Sequence, residues 1–272
     1  MEKFDLHMHT NLSDGTTPPV ELVRRAAALG VPLIALTDHD IVMGVPEAQT
    51  EGERVGVRVL GGVEVDADYE LEGELHILGI NIDIQNAALT DMLSRVSSER
   101  ERRNEAILDS LSAAGMEVRP FMRYSEGNTT RLHLAFALLE GGFVASINDA
   151  FNQVFAAGGP GYVAYTRPAQ RDVIRVIHQA GGLAVLAHPH KIKTDDIGAL
   201  VRRLCGYGLD GLETYYPAVS EDTFTRFCAL ARQNNLLMSC GSDFHGSNRK
   251  SVEIGCTWQD TEALKEIYTY LC

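Results

Sequence analysis

Six of the nine histidines sit beside acidic residues at the ends of short apolar runs. The segments are Phe4-Asp5-Leu6-His7-Met8-His9, Thr37-Asp38-His39-Asp40, His76-Ile77-Leu78-Gly79, Ala187-His188-Pro189 and Gly241-Ser242-Asp243-Phe244-His245. Each lies in or follows a stretch that reads as a buried strand. Imidazole and carboxylate gathered at strand ends suit divalent metals such as Zn, Mn and Fe. One such segment is a weak signal; five spread over the chain point to a multi-metal hydrolytic site.

Between these segments, strand and helix signals alternate. Strand-like Phe4–His9 is followed by an amphipathic stretch, Val20–Leu29, opened by Pro18-Pro19 and closed by Gly30, the asymmetry expected of a helix. Leu33–Thr37 reads as a strand, Pro46–Val55 as a helix, Val57–Val65 and Leu75–Ile82 as strands, and acidic Asp66–Glu74 as a turn. From about 87 to 165 the rhythm breaks into a long charged helix and further glycine-interrupted helical pattern. Helix 170–180 then leads to strand 183–187, helix 195–206 to strand 211–215, helix 221–234 to strand 237–240, and helix 261–271 closes the chain. Such alternation predicts a parallel sheet. Catalytic residue types at strand C-termini favour a barrel over an open sheet. The expected division is a barrel domain of residues 1–86 and 166–272, with 87–165 as a helical insertion, or cap, within it.

With 272 residues, 45% of them hydrophobic, the chain can bury one large core. No apolar run approaches the ~18 residues needed to span a bilayer, and Phe4 begins a strand with no leader pattern before it, so a cytoplasmic location and no membrane partner are expected. Five cysteines, none in a C-x-x-C pair, read as small buried thiols rather than a disulfide framework or zinc ribbon. A net charge of −13 without a basic patch argues against long nucleic acid as a partner. It leaves room for a small phosphorylated substrate, because bound cations invert the local field. No obligatory protein partner is predicted.

His7 and His9, at i and i+2 on a strand, face the same side and can reach one ion. Asp243 and His245 repeat that spacing. Asp14 sits in a polar turn, Asn11–Thr16, whose plain reading is an ordinary Asx turn. Asp38, His39 and Asp40 would be costly to bury unpaired. Glu64 follows Gly61-Gly62, where the backbone can crowd close to a site. His76 opens the run His76–Gly79, and His188 ends an apolar strand. Asp5, Asp38 and Asp40 are candidates to orient ligand imidazoles.

The set D-x-H-x-H-T, S-D-G, T-D-H-D, G-x-E, H-x-x-G, A-H-P and G-S-D-F-H, in order from Asp5 to His245, resembles the PHP (polymerase and histidinol phosphatase) family of amidohydrolase-like, metal-dependent phosphoesterases. The resemblance implies an α/β fold, a distorted (β/α)7 TIM-like barrel, and two or three divalent ions (Mn, Fe or Zn). It implies that His7, His9, Glu64 and Asp243 hold one metal and that Asp14, His39 and His245 hold a second. Glu64, His76 and His188 would hold a third, with Glu64 bridging. Asp243, Glu64 and His245 would then be catalytic, a metal-bridged hydroxide attacking phosphorus. Arg131 and His133 resemble an R-x-H element that contacts phosphate in nucleotide-cleaving relatives, and read equally as a helix start. Lys191, where many relatives carry Arg, is a third substrate-binding candidate.

The expected activity is hydrolysis of phosphate esters of a small metabolite, either a nucleotide bisphosphate or a cyclic or sugar phosphate. The alternatives are a 5′→3′ exonuclease on short oligonucleotides, a histidinol-phosphate-type phosphatase and a non-catalytic metal-binding accessory domain. Other features have plain readings: Ser97–Arg103 as a solvated helix face, 157–162 as a turn returning to the barrel, and His178 as structural. Tyr215 and Tyr216 line the pocket or fill the barrel mouth.

Overall fold

The computed structural model describes residues 1–70 and 74–272. Seven strands form one sheet in chain order: β1 (Phe4–Asp5), β2 (Leu33–Leu36), β3 (Arg58–Ala67), β4 (Leu75–Ile80), β5 (Leu183–Leu186), β6 (Gly211–Tyr215) and β7 (Leu237–Cys240). Its two edges are laced together beyond β1 and β7. The Leu6 N–H donates to Cys240 O (3.1 Å), Asp243 N–H to His7 O (2.8 Å) and His9 N–H to Phe244 O (2.9 Å), beside a parallel bridge between Met8 and Phe244. The nearly closed sheet is the distorted α/β barrel that the family resemblance implied.

One expectation about the sheet is corrected. The pairs β1–β2, β2–β3, β5–β6 and β6–β7 are parallel, but β4 runs antiparallel to both β3 and β5. Only seven residues lie between β3 and β4, and a connection that short can join only antiparallel neighbours. The reversal matters for the site. It brings the N-terminal end of β4 to the rim where parallel strands present their C-terminal ends, so His76 pairs in register with Asp66. Strand β3 also runs through Asp66 and Ala67, so the acidic segment begins inside a strand; its residues 71–73 lie outside the described ones.

The strands' apolar side chains and the inner faces of the helices form the main core. Helix α1 (Pro19–Ala28) packs with α2 (Val45–Val55), and α6 (Gln170–Gln179) lies on β4 and β5. Helix α7 (Ile197–Tyr207) packs on α6, α8 (Glu221–Gln233) on β6, and α9 (Glu262–Leu271) on β7.

The stretch between β4 and β5 opens with α3 (Ala87–Ala113), whose first N–H groups are capped by the Asn86 side chain. At 27 residues, α3 spans about 40 Å. Its first half, Leu89 to Val96, joins the barrel core. Its second half, Ile107 to Leu111, joins a separate core with α4 (Arg131–Glu140). Short α5 (Ile147–Asp149) runs into a π-helical turn, Ala150–Val154, and a turn near Gly158–Gly161 leads back toward the barrel.

The Ser97–Arg103 reading is overturned. Arg102 pairs with Glu99 on the solvent side, but Arg100 and Arg103 are buried, Arg100 against Asp40 and Arg103 over the Tyr165 ring. The cysteines are only partly as expected: all five are free, yet Cys256 and Cys272 are exposed. No helix among the described residues is long and apolar enough to cross a membrane.

Candidate metal centre

The regular part of β1 ends at Asp5, and the chain past it still places His7 and His9 on one side, their Nε2 atoms 3.1 Å apart. Both face Glu64, which projects inward from the middle of β3. Glu64 Oε2 lies 3.3 Å from His7 Nε2, 3.1 Å from His9 Nε2 and 3.2 Å from His39 Nδ1. Its Oε1 lies 2.8 Å from His76 Nδ1 and 2.9 Å from His188 Nε2. One buried carboxylate thus meets five imidazoles from four different strands or strand ends. Asp243 Oδ1 lies 3.4 Å from His7 Nε2, 3.3 Å from His9 Nε2 and 3.4 Å from His245 Nδ1. Asp14 Oδ1 lies 3.2 Å from His245 Nε2, and its Oδ2 3.6 Å from His39 Nε2. All nine residues expected to ligate metal therefore come together.

Within this group four sets have ligand atoms mutually within 4.8 Å: His9, Asp14, His39 and His245; His7, His9 and Asp243; His7, Glu64 and His188; and His39, Glu64 and His76. The donor chemistry fits divalent cations, since imidazole nitrogens and carboxylate oxygens converge on shared points. Asp14 Oδ1 is buried without a hydrogen-bond partner, as expected where an acceptor is aimed at an ion rather than at a donor.

The electrostatics agree. Burial opposes ionisation of Asp14, Glu64 and Asp243, yet the surrounding imidazoles, joined at Asp243 by Lys191, hold all three well below the usual carboxylate range. Burial works to lower His9 and His76, but their carboxylate neighbours win and raise them to about 10 and about 9. At His39 burial prevails over Asp14 and Glu64 and takes the ring down to about 3.

The residues behind the ligands differ from expectation. Asp38 accepts from the Thr10 N–H and hydroxyl (both 2.7 Å) and from Ser13 Oγ (2.5 Å). Asp5 accepts from the backbone N–H of Ser242 (2.9 Å) and Gly255 (2.7 Å). Asp40 takes Arg100 and the Asp66 N–H. These carboxylates fasten loops; none hydrogen-bonds an imidazole ring. His245 is oriented instead by a carbonyl, its Nδ1 2.8 Å from Asp243 O, and His7 by Glu213, 2.9 Å from its Nδ1. Gly61 and Gly62 serve strand packing: a methyl group there would lie 2.5 Å from Ile82 O or 2.5 Å from Leu36 O.

Over the centre opens a cleft lined by Asp14, His39, Asp66, Glu74, His76, Arg100, Thr130, Arg131, Leu132 and Phe151. Arg131, at the start of α4, is ion-paired with Glu74 and stacked over Phe151, 5.7 Å from the ring centre. His133 caps α4: its Nδ1 accepts from the Thr130 N–H (3.1 Å). Lys191 Nζ lies 3.1 Å from Asp243 Oδ2 and 4.8 Å from the Tyr216 ring centre. Tyr216 and Arg249 also donate to Asp243 Oδ2. Tyr215 fills space instead, its hydroxyl 3.1 Å from Thr261 Oγ1. His178 pairs with Asp210 on the outer face of α6, beside a hollow of about 430 Å³ that contains no residue of the centre.

Sequence reasoning missed Glu213, Arg249, Arg100 and Arg167, the last paired with Asp66. A signal existed for Glu213, a lone carboxylate inside the apolar strand Gly211–Tyr215. None existed for the arginines, which look like ordinary surface charge until the chain folds over them.

The sequence profile of the PHP domain matches residues 5–156. Over 249 residues the chain is 36% identical to the 5′-3′ exoribonuclease Rnm of Salmonella typhimurium, covering 89% of this chain and 85% of that one. It is 33% identical to the 3′,5′-nucleoside bisphosphate phosphatase of Chromobacterium violaceum, covering 97% and 98%. The fold superposes with a TM-score of 0.88 on an amidohydrolase from Chromobacterium violaceum with bound sulfate and no metal, at 32% identity, covering 99% of this chain and 95% of that one.

Proposed function

Because this chain belongs to the PHP domain family, we propose that it is a metal-dependent hydrolase of phosphoester bonds, acting on a small phosphorylated metabolite in the cytoplasm. The observation that carries the reading is Glu64, buried and in reach of five imidazoles. Two or three divalent cations (Mn, Fe or Zn) would be shared among His7, His9, Glu64 and Asp243; Asp14, His39 and His245; and Glu64, His76 and His188. When bound, such cations activate water and neutralise phosphoryl charge.

The chain's own residues do the rest. Glu64 and Asp243 set the spacing of the sites, and His245 ties Asp243 to Asp14. Arg131 exchanges Glu74 for a substrate phosphate, which a guanidinium can grip with two parallel hydrogen bonds. Lys191 meets phosphate from the opposite side as a point charge. In this reading 87–165 is an insertion within one domain that brings Arg100 and Arg131 to the mouth. His133, engaged as a cap, is a support for Arg131.

A nucleoside bisphosphate is the favoured substrate, as for the Chromobacterium relative. Removal of a terminal phosphate needs only a short cleft, and the net charge of −13 disfavours a long polyanion. The second reading is 5′→3′ cleavage of short RNA, favoured by the 36% identity to the Salmonella exoribonuclease. The test is phosphate or nucleotide release by Mn-loaded protein from nucleoside bisphosphates, cyclic and sugar phosphates, histidinol phosphate and short 5′-phosphorylated RNA. A kcat/KM at least tenfold higher for a bisphosphate than for RNA is expected. The reverse order makes the chain an exonuclease, and no turnover of any ester by metal-loaded protein leaves an accessory metal-binding domain.

A further inference from the structure

Strand β6 sends none of the nine expected ligands to the centre, although every other strand or its extension sends at least one — Asp14 alone comes from a loop. What β6 sends is Glu213, 1% exposed. Both of its oxygens are committed. Oε1 accepts from His7 Nδ1 at 2.9 Å, and Oε2 accepts from the backbone N–H of His188 at 2.7 Å. These partners lie on opposite flanks of β6, one past β1 and the other past β5. The His188 backbone is held at φ 28° and ψ 59°, a left-handed conformation that a non-glycine residue keeps only when its surroundings fix it. Glu213 also abuts Gly241 so closely that a methyl group there would come within 2.3 Å of Oε1 and 2.3 Å of His7 Cβ. The carboxylate therefore sits in a slot shaped by β1, β5 and β7 together.

We infer that Glu213 is a positioning residue for the metal centre: by taking the Nδ1 proton of His7 and the amide of His188 in one carboxylate, it turns His7 Nε2 and His188 Nε2 inward at once. An imidazole offers a lone pair at one nitrogen only when the other carries the proton, so the acceptor behind the ring decides which nitrogen faces the ion. With Nδ1–H given to Glu213, His7 must present Nε2, the atom beside Glu64, Asp243 and His9. A glutamine has the same shape but one acceptor oxygen, and its amide NH2 would face a second donor. It can satisfy His188 and His7 together only if the His7 proton moves from Nδ1 to Nε2, the atom that must face the ion.

The inference rests on the metal-binding reading above, and its test separates the two. In Zn-loaded wild-type protein labelled with 15N-histidine, the His7 ring, assigned by its loss in His7→Gln, is expected to show a protonated Nδ1 and a bare, metal-shifted Nε2. A protonated Nε2 overturns the inference without recourse to any variant. Glu213→Gln is expected to keep the wild-type circular dichroism spectrum and bind Zn about 10- to 100-fold more weakly in a chelator competition, with kcat recovering at saturating metal. Wild-type Zn affinity in the folded variant, or a loss of thermal stability with no loss of affinity, shows that Glu213 only fills space. If wild-type protein itself binds no Zn, it is the metal-binding reading that fails.

Discussion

Glu64 and Asp243 each reach at least three imidazoles, so neither can be removed without leaving several ligands unmatched. Glu64→Ala or Asp243→Ala is expected to bring phosphate release to background while far-ultraviolet circular dichroism stays near wild type; sustained turnover refutes the assignment. Arg131 is half of an ion pair at the mouth. Loss of its charge-assisted contact in Arg131→Ala is expected to lower kcat/KM about 10- to 100-fold, mainly through KM, and kinetics equal to wild type on the true substrate exclude the clamp. The imidazoles carry a further consequence. His9 and His76, raised to about 10 and about 9 in the metal-free protein, hold protons at pH 7 that metal must displace. Metal affinity should thus climb as pH rises toward 9–10, with proton release greatest below that window. Calorimetry in buffers of different ionisation enthalpy measures it.

At the scale of elements, the informative joint is between the end of β2 and α3. Asp40, fully buried with φ 55°, meets the buried Arg100 of α3. Removing one partner of such a pair leaves an uncompensated charge. Arg100→Met is expected to cost about 3–5 kcal/mol at neutral pH, read as a lower urea midpoint; an unchanged midpoint means the pair contributes nothing. The run of charge in Ser97–Arg103 resembled a solvated face because a helical pattern shows which residues share a side, not what that side meets. Similarly, β4 looked like another parallel strand because an apolar run of 4–8 residues has no direction. Only its pairing with β3 revealed the reversal that sets His76 on the rim.

For the whole molecule, ligands from six strands or their extensions and one loop are drawn to one centre, so metal binding and folding are linked. At about 100 times Kd, a metal that binds only the folded chain adds about 2.7 kcal/mol, and stripping it with EDTA should lower Tm by several degrees; an unchanged Tm argues that no such coupling exists. The stripped protein should also show a pH optimum. Asp14, Glu64 and Asp243 have depressed folded values, so their stabilisation is present above the ordinary carboxylate range and is lost as pH falls below it. His9 and His76 are raised from 6.5, so theirs is complete below about 6.5 and fades as pH rises through 9–10. His39, lowered to about 3, loses its contribution as pH falls below about 6.5, so melting curves of EDTA-treated protein are expected to peak near pH 6.5.

The sequence by itself determined the nine candidate ligands, the alternation of strands and helices and the family, because ligand chemistry is written in residue type and because i, i+2 spacing is a local fact. It could not supply Glu213's two partners, the inward turn of Arg100 and Arg103, the direction of β4 or the use of His133 as a cap. Those depend on which distant surfaces meet. Burial converts an ordinary surface-type residue into a structural one, and burial is a property of the closed barrel rather than of any segment in it.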